Sequence, residues 1–320
     1  MLLYIIFNGN YVMEIFRNST KDLENARGGV FALGNFDGVH LGHKEIIAKA
    51  TSIGQKKNIP SGVLIFQPHP RKFFRPGDEN FIISDIKTRS YLLENCNLDF
   101  LGILDFNKEM SNLTPFEFVD KIINQAINVS HLIVGYNFKF GKDRSGDVKV
   151  LTDICKKLKI DLSIIDKVEG DNYIFSSSSV RECLRKGDLK AAKKILGDYW
   201  VVKGEVIKGD QRGRQIGFPT ANISMEGWIE PLFGVYAVNI NVDGLFYRGV
   251  ANLGVRPTFG KSSPILEVHL FDYSGDLYGK DIIISFIDFI RKEKKFDGIE
   301  SLKKQIEIDS AKAIEFVIEN

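Results

Sequence analysis

The chain has 320 residues, more than one hydrophobic core usually serves, so its length predicts two domains. At 44% hydrophobic and 26% charged it belongs with ordinary globular proteins and outside the disordered class. A net charge of +2 gives no electrostatic reason to expect nucleic acid or an anionic membrane as its main partner. The basic runs "KKLK" (Lys156 to Lys159) and "RKEKK" (Arg291 to Lys295) are short enough to be solvated faces.

In chain order, the opening "MLLYIIFNGNYVMEIF" is apolar, but Asn8-Gly9 interrupts it and no basic segment precedes it. It therefore predicts neither a signal peptide nor a membrane span, and Met13 inside it is a second candidate start. From about Val30 to Lys167 short apolar runs alternate with amphipathic segments. "VFALG" (Val30 to Gly34), "GVLIF" (Gly62 to Phe66), "FLGIL" (Phe100 to Leu104), "HLIVG" (His131 to Gly135) and "LSIID" (Leu162 to Asp166) predict buried strands. Helical patterns start near Gly42, Ser84, Thr114 and Asp147, and Thr114-Pro115 is a cap followed by a first-turn proline. This alternation predicts an α/β domain, a doubly wound parallel sheet covered on both faces. Such sheets bind ligands beyond the carboxyl ends of their strands, and Gly34 to His43 stands at one of those ends.

After about Arg185 the rhythm changes. "VVKGEVI", "GVYAVNINVDGLFYRGVANLG" and "ILEVHLFDY" are rich in β-branched and aromatic residues, with Asp243-Gly244 as a hairpin turn. Helical spacing returns only from about Ile299 to Ile318. The expected architecture is a first domain over residues 1–185 and, over 186–320, a small antiparallel β-barrel with one terminal helix. Cys96, Cys155 and Cys183 are odd in number, far apart and outside metal-ligand spacing, which suits free thiols in a reducing cytoplasm.

Two stretches carry chemistry. In "FALGNFDGVHLGH" (Phe31 to His43), His40 and His43 fall on the first turn of a helix, whose free N–H groups attract anions. Gly34, Gly38 and Gly42 would let backbone approach a ligand closely. Two imidazoles there can stabilise charge on a leaving pyrophosphate, which points to nucleotidyl transfer. The same spacing also fits a zinc half-site or polar residues at a turn, and by itself it does not choose. The second stretch, "GEVIKGDQRGRQIGFPTANI" (Gly204 to Ile223), is a glycine-rich basic loop without Walker spacing, equally readable as a flexible surface loop. Within it, Pro219 stiffens the approach to Thr220, and Thr220 and Asn222 offer the hard oxygen atoms that magnesium on a nucleotide needs. Glu267 and His269 share one face of a later strand; a carboxylate at a barrel mouth can take a proton from a hydroxyl, and on an ordinary strand it simply faces solvent.

"GNFDGVHLGH" resembles the H-x-G-H motif of the nucleotidyltransferase superfamily, in the form found in bacterial bifunctional riboflavin kinase/FMN adenylyltransferases. "QPHP" (Gln67 to Pro70), "GYNFKFGKDRSGD" (Gly135 to Asp147) and "SSSSVR" (Ser176 to Arg181) follow in that family's order, with Ser178 in place of its threonine and Asn137 where members show Asp or Asn. Later, "PTAN", "ANLGVRPTF" (Ala251 to Phe259), "LEVHLFD" and "DLYG" (Asp276 to Gly279) resemble its riboflavin kinase half.

The resemblance implies catalytic roles for His40, His43, Arg181 and Glu267. It implies nucleotide or flavin contacts for Gly34, Phe36, Asp37, Gly38, Asn137, Phe138, Ser177 and Ser178. In the kinase half it implies the same for Gly209, Arg214, Gly217, Pro219 and Asn222, with Thr220 and Asn222 toward magnesium. Glu267 would be the general base. ATP, riboflavin and FMN would be substrates, with Mg2+ at both sites and no nucleic-acid or membrane partner. The pattern does not set the oligomeric state. The rival readings are a single-activity enzyme, adenylyl transfer to another phosphate acceptor, and a nucleic-acid-binding barrel, which the near-neutral charge disfavours.

Overall fold

The apolar runs of the first half pair side by side in one parallel sheet. The computed structural model describes residues 13–18, 21–77, 80–170, 173–209, 213, 216–258 and 261–316. In it β1 (Glu14–Arg17), β2 (Val30–Leu33), β3 (Ser61–Gln67), β4 (Phe100–Asp105), β5 (His131–Gly135) and β6 (Asp161–Ile165) lie in the order β1-β4-β3-β2-β5-β6. Every pairing is parallel. Val30–Leu33 is buried along its whole length, as a strand covered on both faces must be. The edge strand β1 is an addition to the expected set: in its four residues only Phe16 is buried, too little to stand out as an apolar run.

The strand order matters more than the strand list. From β2 the chain steps to β3 and β4 on one side, and from β5 it steps to β6 on the other. β2 and β5 are therefore neighbours at the topological switch point, where open α/β sheets receive their ligands. The helices are α1 (Leu41–Lys57), α2 (Pro70–Phe74), α3 (Ile86–Glu94), α4 (Lys108–Asn112), α5 (Pro115–Glu117, continued by π-helical turns over Phe118–Ala126) and α6 (Val148–Leu158). Thr114 and Glu117 form a reciprocal capping box at the start of α5. A small two-stranded pair, β7 (Glu169–Gly170) and β8 (Tyr173–Ile174), follows the sheet.

The second half begins with α7 (Ser177–Lys186) and α8 (Leu189–Leu196). It continues with β9 (Trp200–Glu205), β10 (Ala221–Ser224), β11 (Gly234–Val242), β12 (Leu245–Thr258), β13 (Lys261–Leu270) and β14 (Asp281–Lys292). These six strands form an antiparallel sheet ordered β10-β13-β12-β11-β14-β9. Its two end strands approach where Ile207 N donates to Asn222 O at 2.9 Å, which nearly closes the barrel. Asp243-Gly244 makes the predicted turn between β11 and β12. Helix α9 (Ile299–Glu315) packs Ala313 on Val235, Ala237 and Val250 of the outer face. The Arg291 guanidinium grips Asp309 of that helix through Nε and Nη2 at 2.7–3.0 Å.

The chain divides into two compact units, and the division is not a single cut along the chain. Of the described residues, one unit holds 13–77 and Arg89–Phe175; the other holds Asn80–Thr88 together with everything from Ser176 onward. The reason lies in the hydrogen bonds of the Asn80–Thr88 segment. Arg181 Nε donates to Phe81 O at 2.7 Å, Trp200 Nε1 donates to Ile83 O at 3.0 Å, and Ile82 bridges to Trp228. Periodicity along the chain carries no trace of such contacts. All three cysteines are free thiols, and burial pushes each one's pKa up, that of Cys155 to about 11, so none is a ready thiolate near neutral pH.

Candidate active sites

The first site grows from the end of β2. His40 is the N-cap of α1, its Nδ1 accepting from His43 N at 3.3 Å. The two imidazoles stack with centroids 3.6 Å apart, and the Phe36 ring meets His43 edge-on at 5.2 Å. To reach this geometry the loop passes through left-handed backbone at Phe36 (φ 49°), Gly38 (φ 84°) and Val39 (φ 44°). For a non-glycine residue that conformation costs roughly 1–3 kcal/mol, and it persists here because Phe36 and Val39 are buried. Such strain held by packing is characteristic of a site that must stay in one shape.

Asp37 is buried in the loop. It is 2% exposed and faces Arg89 Nη2 of α3 at 3.6 Å, with Arg89 equally buried. Its carboxylate therefore braces the loop against α3, a partnership that the sequence motif does not contain. Gly42 is closely packed: a Cβ there would stand 3.0 Å from the Phe175 carbonyl oxygen. On the neighbouring strand, β5 ends at Gly135, and Asn137 and Phe138 follow at the same end of the sheet. Asn137 is exposed, while Phe138 is half-buried and stacks on Phe140 at 5.4 Å. Gly34, Phe36, Asp37, Gly38, His40, His43, Asn137 and Phe138 thus gather at one switch point.

Ser177, Ser178 and Arg181 belong to the other compact unit. Ser176 caps α7 by accepting from Ser179 N at 3.1 Å, so Ser177 and Ser178 sit in the first turn, at the end of a helix that attracts anions. Arg181 is 9% exposed, its Nε committed to the Phe81 carbonyl and its guanidinium lying over the Phe81 ring. Absent from the sequence reading was an aromatic group at the carboxyl ends of β3 and β4. Phe73 and Phe74 of α2 pack edge-to-face on Phe106 at 5.3 and 5.7 Å, and Phe74 remains 60% exposed. The consecutive phenylalanines after "QPHP" were the available signal. His69 in that motif caps α2, its Nδ1 accepting from Arg71 N at 3.1 Å.

The second site lies on the barrel. Register pairs Asn222 with Glu267 and Glu267 with Asn252, so the three form a row across β10, β13 and β12. Leu266 and Val268 on either side of Glu267 are completely buried inside the barrel. Alternation therefore sends Glu267 to the outer wall of the barrel. Asn222 is 3% exposed, and its Nδ2 donates to Thr220 O at 3.3 Å, which leaves Oδ1 as the acceptor of the carboxamide. Gly209 lies directly against that group: a Cβ there would stand 2.5 Å from Nδ2 and 2.8 Å from Oδ1. Glycine at 209 leaves the Asn222 carboxamide its place, and Thr220 and Asn222 are hard oxygen donors of the kind that suits magnesium carried by a nucleotide. Gly217 takes the left-handed conformation (φ 90°) before Phe218-Pro219, and Arg214 lies outside the described residues. Asn252 is the functional candidate that the sequence reading passed over, since only strand register sets it beside Glu267.

A helix-capping histidine pair at a switch point and an oxygen-donor row beside a carboxylate on a barrel wall together describe a two-site, nucleotide-dependent transferase. Residues 22–179 match the family FAD synthetase, and residues 196–317 match the family riboflavin kinase. The bifunctional riboflavin kinase/FMN adenylyltransferase of Bacillus subtilis (strain 168) is 38% identical over 292 residues, covering 90% of this chain and 92% of that protein. Its counterpart from Pseudomonas fluorescens is 38% identical over 302 residues, covering 94% and 97%. Among solved structures, one named macrolide-efflux protein from Streptococcus pneumoniae aligns with a TM-score of 0.80 at 29% identity, covering 95% of this chain and 99% of that one. The chain belongs to the bifunctional riboflavin kinase/FMN adenylyltransferase family. It is an enzyme that phosphorylates riboflavin to FMN with ATP and transfers AMP from ATP to FMN, giving FAD and pyrophosphate.

Proposed function

We propose that the two activities divide between the two compact units, adenylyl transfer on the parallel sheet and phosphorylation on the barrel. The observation that carries this reading is the presence of one phosphate-competent geometry in each: the stacked, capping His40–His43 pair in one and the Asn222–Glu267–Asn252 row in the other.

On the barrel, Glu267 accepts the proton of the riboflavin 5′-hydroxyl as its oxygen bonds to the γ-phosphorus of ATP. The bond from that phosphorus to the β-phosphate bridging oxygen breaks, and ADP leaves. Thr220 Oγ1 and Asn222 Oδ1 would hold magnesium with the nucleotide, Gly209, Gly217 and Pro219 shape the phosphate loop, and Arg214 would meet the nucleotide phosphates. Bound there, magnesium shields the crowded phosphate charge.

On the sheet, an FMN phosphate oxygen bonds to the α-phosphorus of ATP, and the α–β bridging bond breaks to release pyrophosphate. His40 and His43 donate hydrogen bonds to the leaving phosphates, aided by the N-terminus of α1. Gly34, Phe36 and Gly38 keep the loop close to the nucleotide, while Asp37 acts from inside the loop through Arg89. Asn137 and Phe138 contact flavin or nucleotide, and the exposed Phe74 offers a face for the flat ring. Ser177 and Ser178, in the first turn of α7 in the barrel's unit, bind phosphate, and Arg181 anchors that helix through Phe81. Magnesium is expected with this nucleotide as well.

Small-molecule substrates suffice as partners, with no nucleic acid, and the three thiols suit the cytoplasm. Among the described residues no helix is long and apolar enough to cross a membrane. The test is to supply riboflavin, ATP and magnesium and to separate the flavins by chromatography. FMN followed by FAD is expected; neither product would sink the reading.

A further inference from the structure

β10 and β13 pair in regular register only from Ala221 to Ser224. Two residues before that ladder the chain reaches Pro219, which has no N–H to extend it. A side chain takes over there: His269 Nδ1 lies 2.8 Å from the Pro219 carbonyl oxygen. A carbonyl only accepts, so Nδ1 carries the proton in this contact. The imidazole is itself held by two edge-on rings, Phe218 at 5.3 Å and Phe271 at 5.8 Å.

The bonded carbonyl belongs to the peptide unit whose nitrogen is that of Thr220. The His269 hydrogen bond therefore fixes the plane of that peptide from one side, while Ala221 enters the ladder on the other. The backbone of Thr220 is thus held at both ends, which fixes the point from which its side chain projects. His269 stands two residues from Glu267 on the same face of β13, so one strand carries both the carboxylate and the clamp.

We propose that His269 is a positioning residue of the kinase reaction. It holds the Pro219–Thr220 peptide so that Thr220 Oγ1 meets the metal–nucleotide while Glu267 meets the hydroxyl. The inference rests on the reading of Thr220 as a magnesium ligand, and it adds a residue to which that reading gives no role.

The experiment measures FMN formation by the full chain across magnesium concentrations. His269→Phe keeps a ring against Phe218 and Phe271 but deletes the donor; His269→Asn returns an amide donor near the same place. For His269→Phe, kcat should fall roughly ten- to a hundredfold. The magnesium concentration for half-maximal rate should rise, and KM for riboflavin should not change. His269→Asn should recover most of the rate, and both variants should adenylylate added FMN at the wild-type rate. Thr220→Val, measured alongside, separates the two ideas. If it leaves the magnesium dependence unmoved, the metal role of Thr220 falls. If it shifts that dependence and His269→Phe does not, the positioning role alone falls. Equal losses for Phe and Asn, or loss of adenylylation with either, would also overturn the positioning role.

Discussion

The two sites are built in opposite ways. The histidine site is almost one continuous stretch, Gly34 to His43, in which a strand end, a strained turn and a helix start follow one another. The barrel candidate draws Thr220 and Asn222 from around β10, Glu267 from β13 and Asn252 from β12, with the proposed clamp His269 also on β13. A local site concentrates its chemistry in a motif and uses buried neighbours such as Arg89 to hold its shape. A site assembled across strands depends on register, so its geometry is only as good as the ladder between them.

This contrast predicts that each activity can be removed alone. The largest effect is expected from Glu267→Gln, which should slow FMN formation by about 10²–10⁴-fold. The same protein should still convert added FMN to FAD. His43→Ala should do the reverse, with adenylyl transfer down on the order of 10²–10³-fold and kinase activity retained. If either variant reduced both activities equally while staying folded, the division of labour between the units would be wrong.

Gly209→Ala sharpens the point about cross-strand assembly. Its Cβ would stand 2.5 Å from Asn222 Nδ2, so the carboxamide must shift. A kinase loss of roughly tenfold, seen mainly at low MgATP, is expected without any change in adenylylation. Unchanged kinase kinetics would show that Asn222 does not need its present place. Arg291→Ala should act on stability. It leaves the buried Asp309 carboxylate without the guanidinium that holds α9 to the barrel, at a cost of about 3 kcal/mol. Denaturant unfolding of the barrel should register the loss.

The smallest effect is expected on the sheet unit, at the α5 capping box. The Thr114 backbone N–H, then Lys121 and the Thr114 hydroxyl, hold the Glu117 pKa down to about 2 from 4.5. A lowered folded-state pKa stabilises above the unfolded value and loses that stabilisation as pH falls through the folded one. The difference in Tm between the native chain and Glu117→Gln should therefore be present at neutral pH and close between about pH 4.5 and 2. A difference that persisted at pH 2 would mean that the carboxylate charge plays no part.

Much of the sheet was legible because its signals are local. The five predicted strands lie where their apolar runs do, and Thr114 and Asp147 cap the helices that their residue types announce. The edge strand β1 escaped because three of its four side chains are exposed. In the site, His40 and His43 were legible as a pair, but Asp37 was not. Whether a carboxylate in that loop faces outward or inward depends on Arg89, which reaches it from another helix.

By itself the sequence determined the two classes of domain, the family motifs and the residue types available for phosphate chemistry, because these depend on periodicity and spacing along the chain. Only the tertiary structure set β2 beside β5 and aligned Asn222 and Asn252 with Glu267 on the outer wall of the barrel. It alone brought Asn80–Thr88 into the barrel's unit and His269 onto Pro219. Each of these is a pairing between distant segments, decided by strand order and by which buried polar groups must find partners, and neither is written in local pattern.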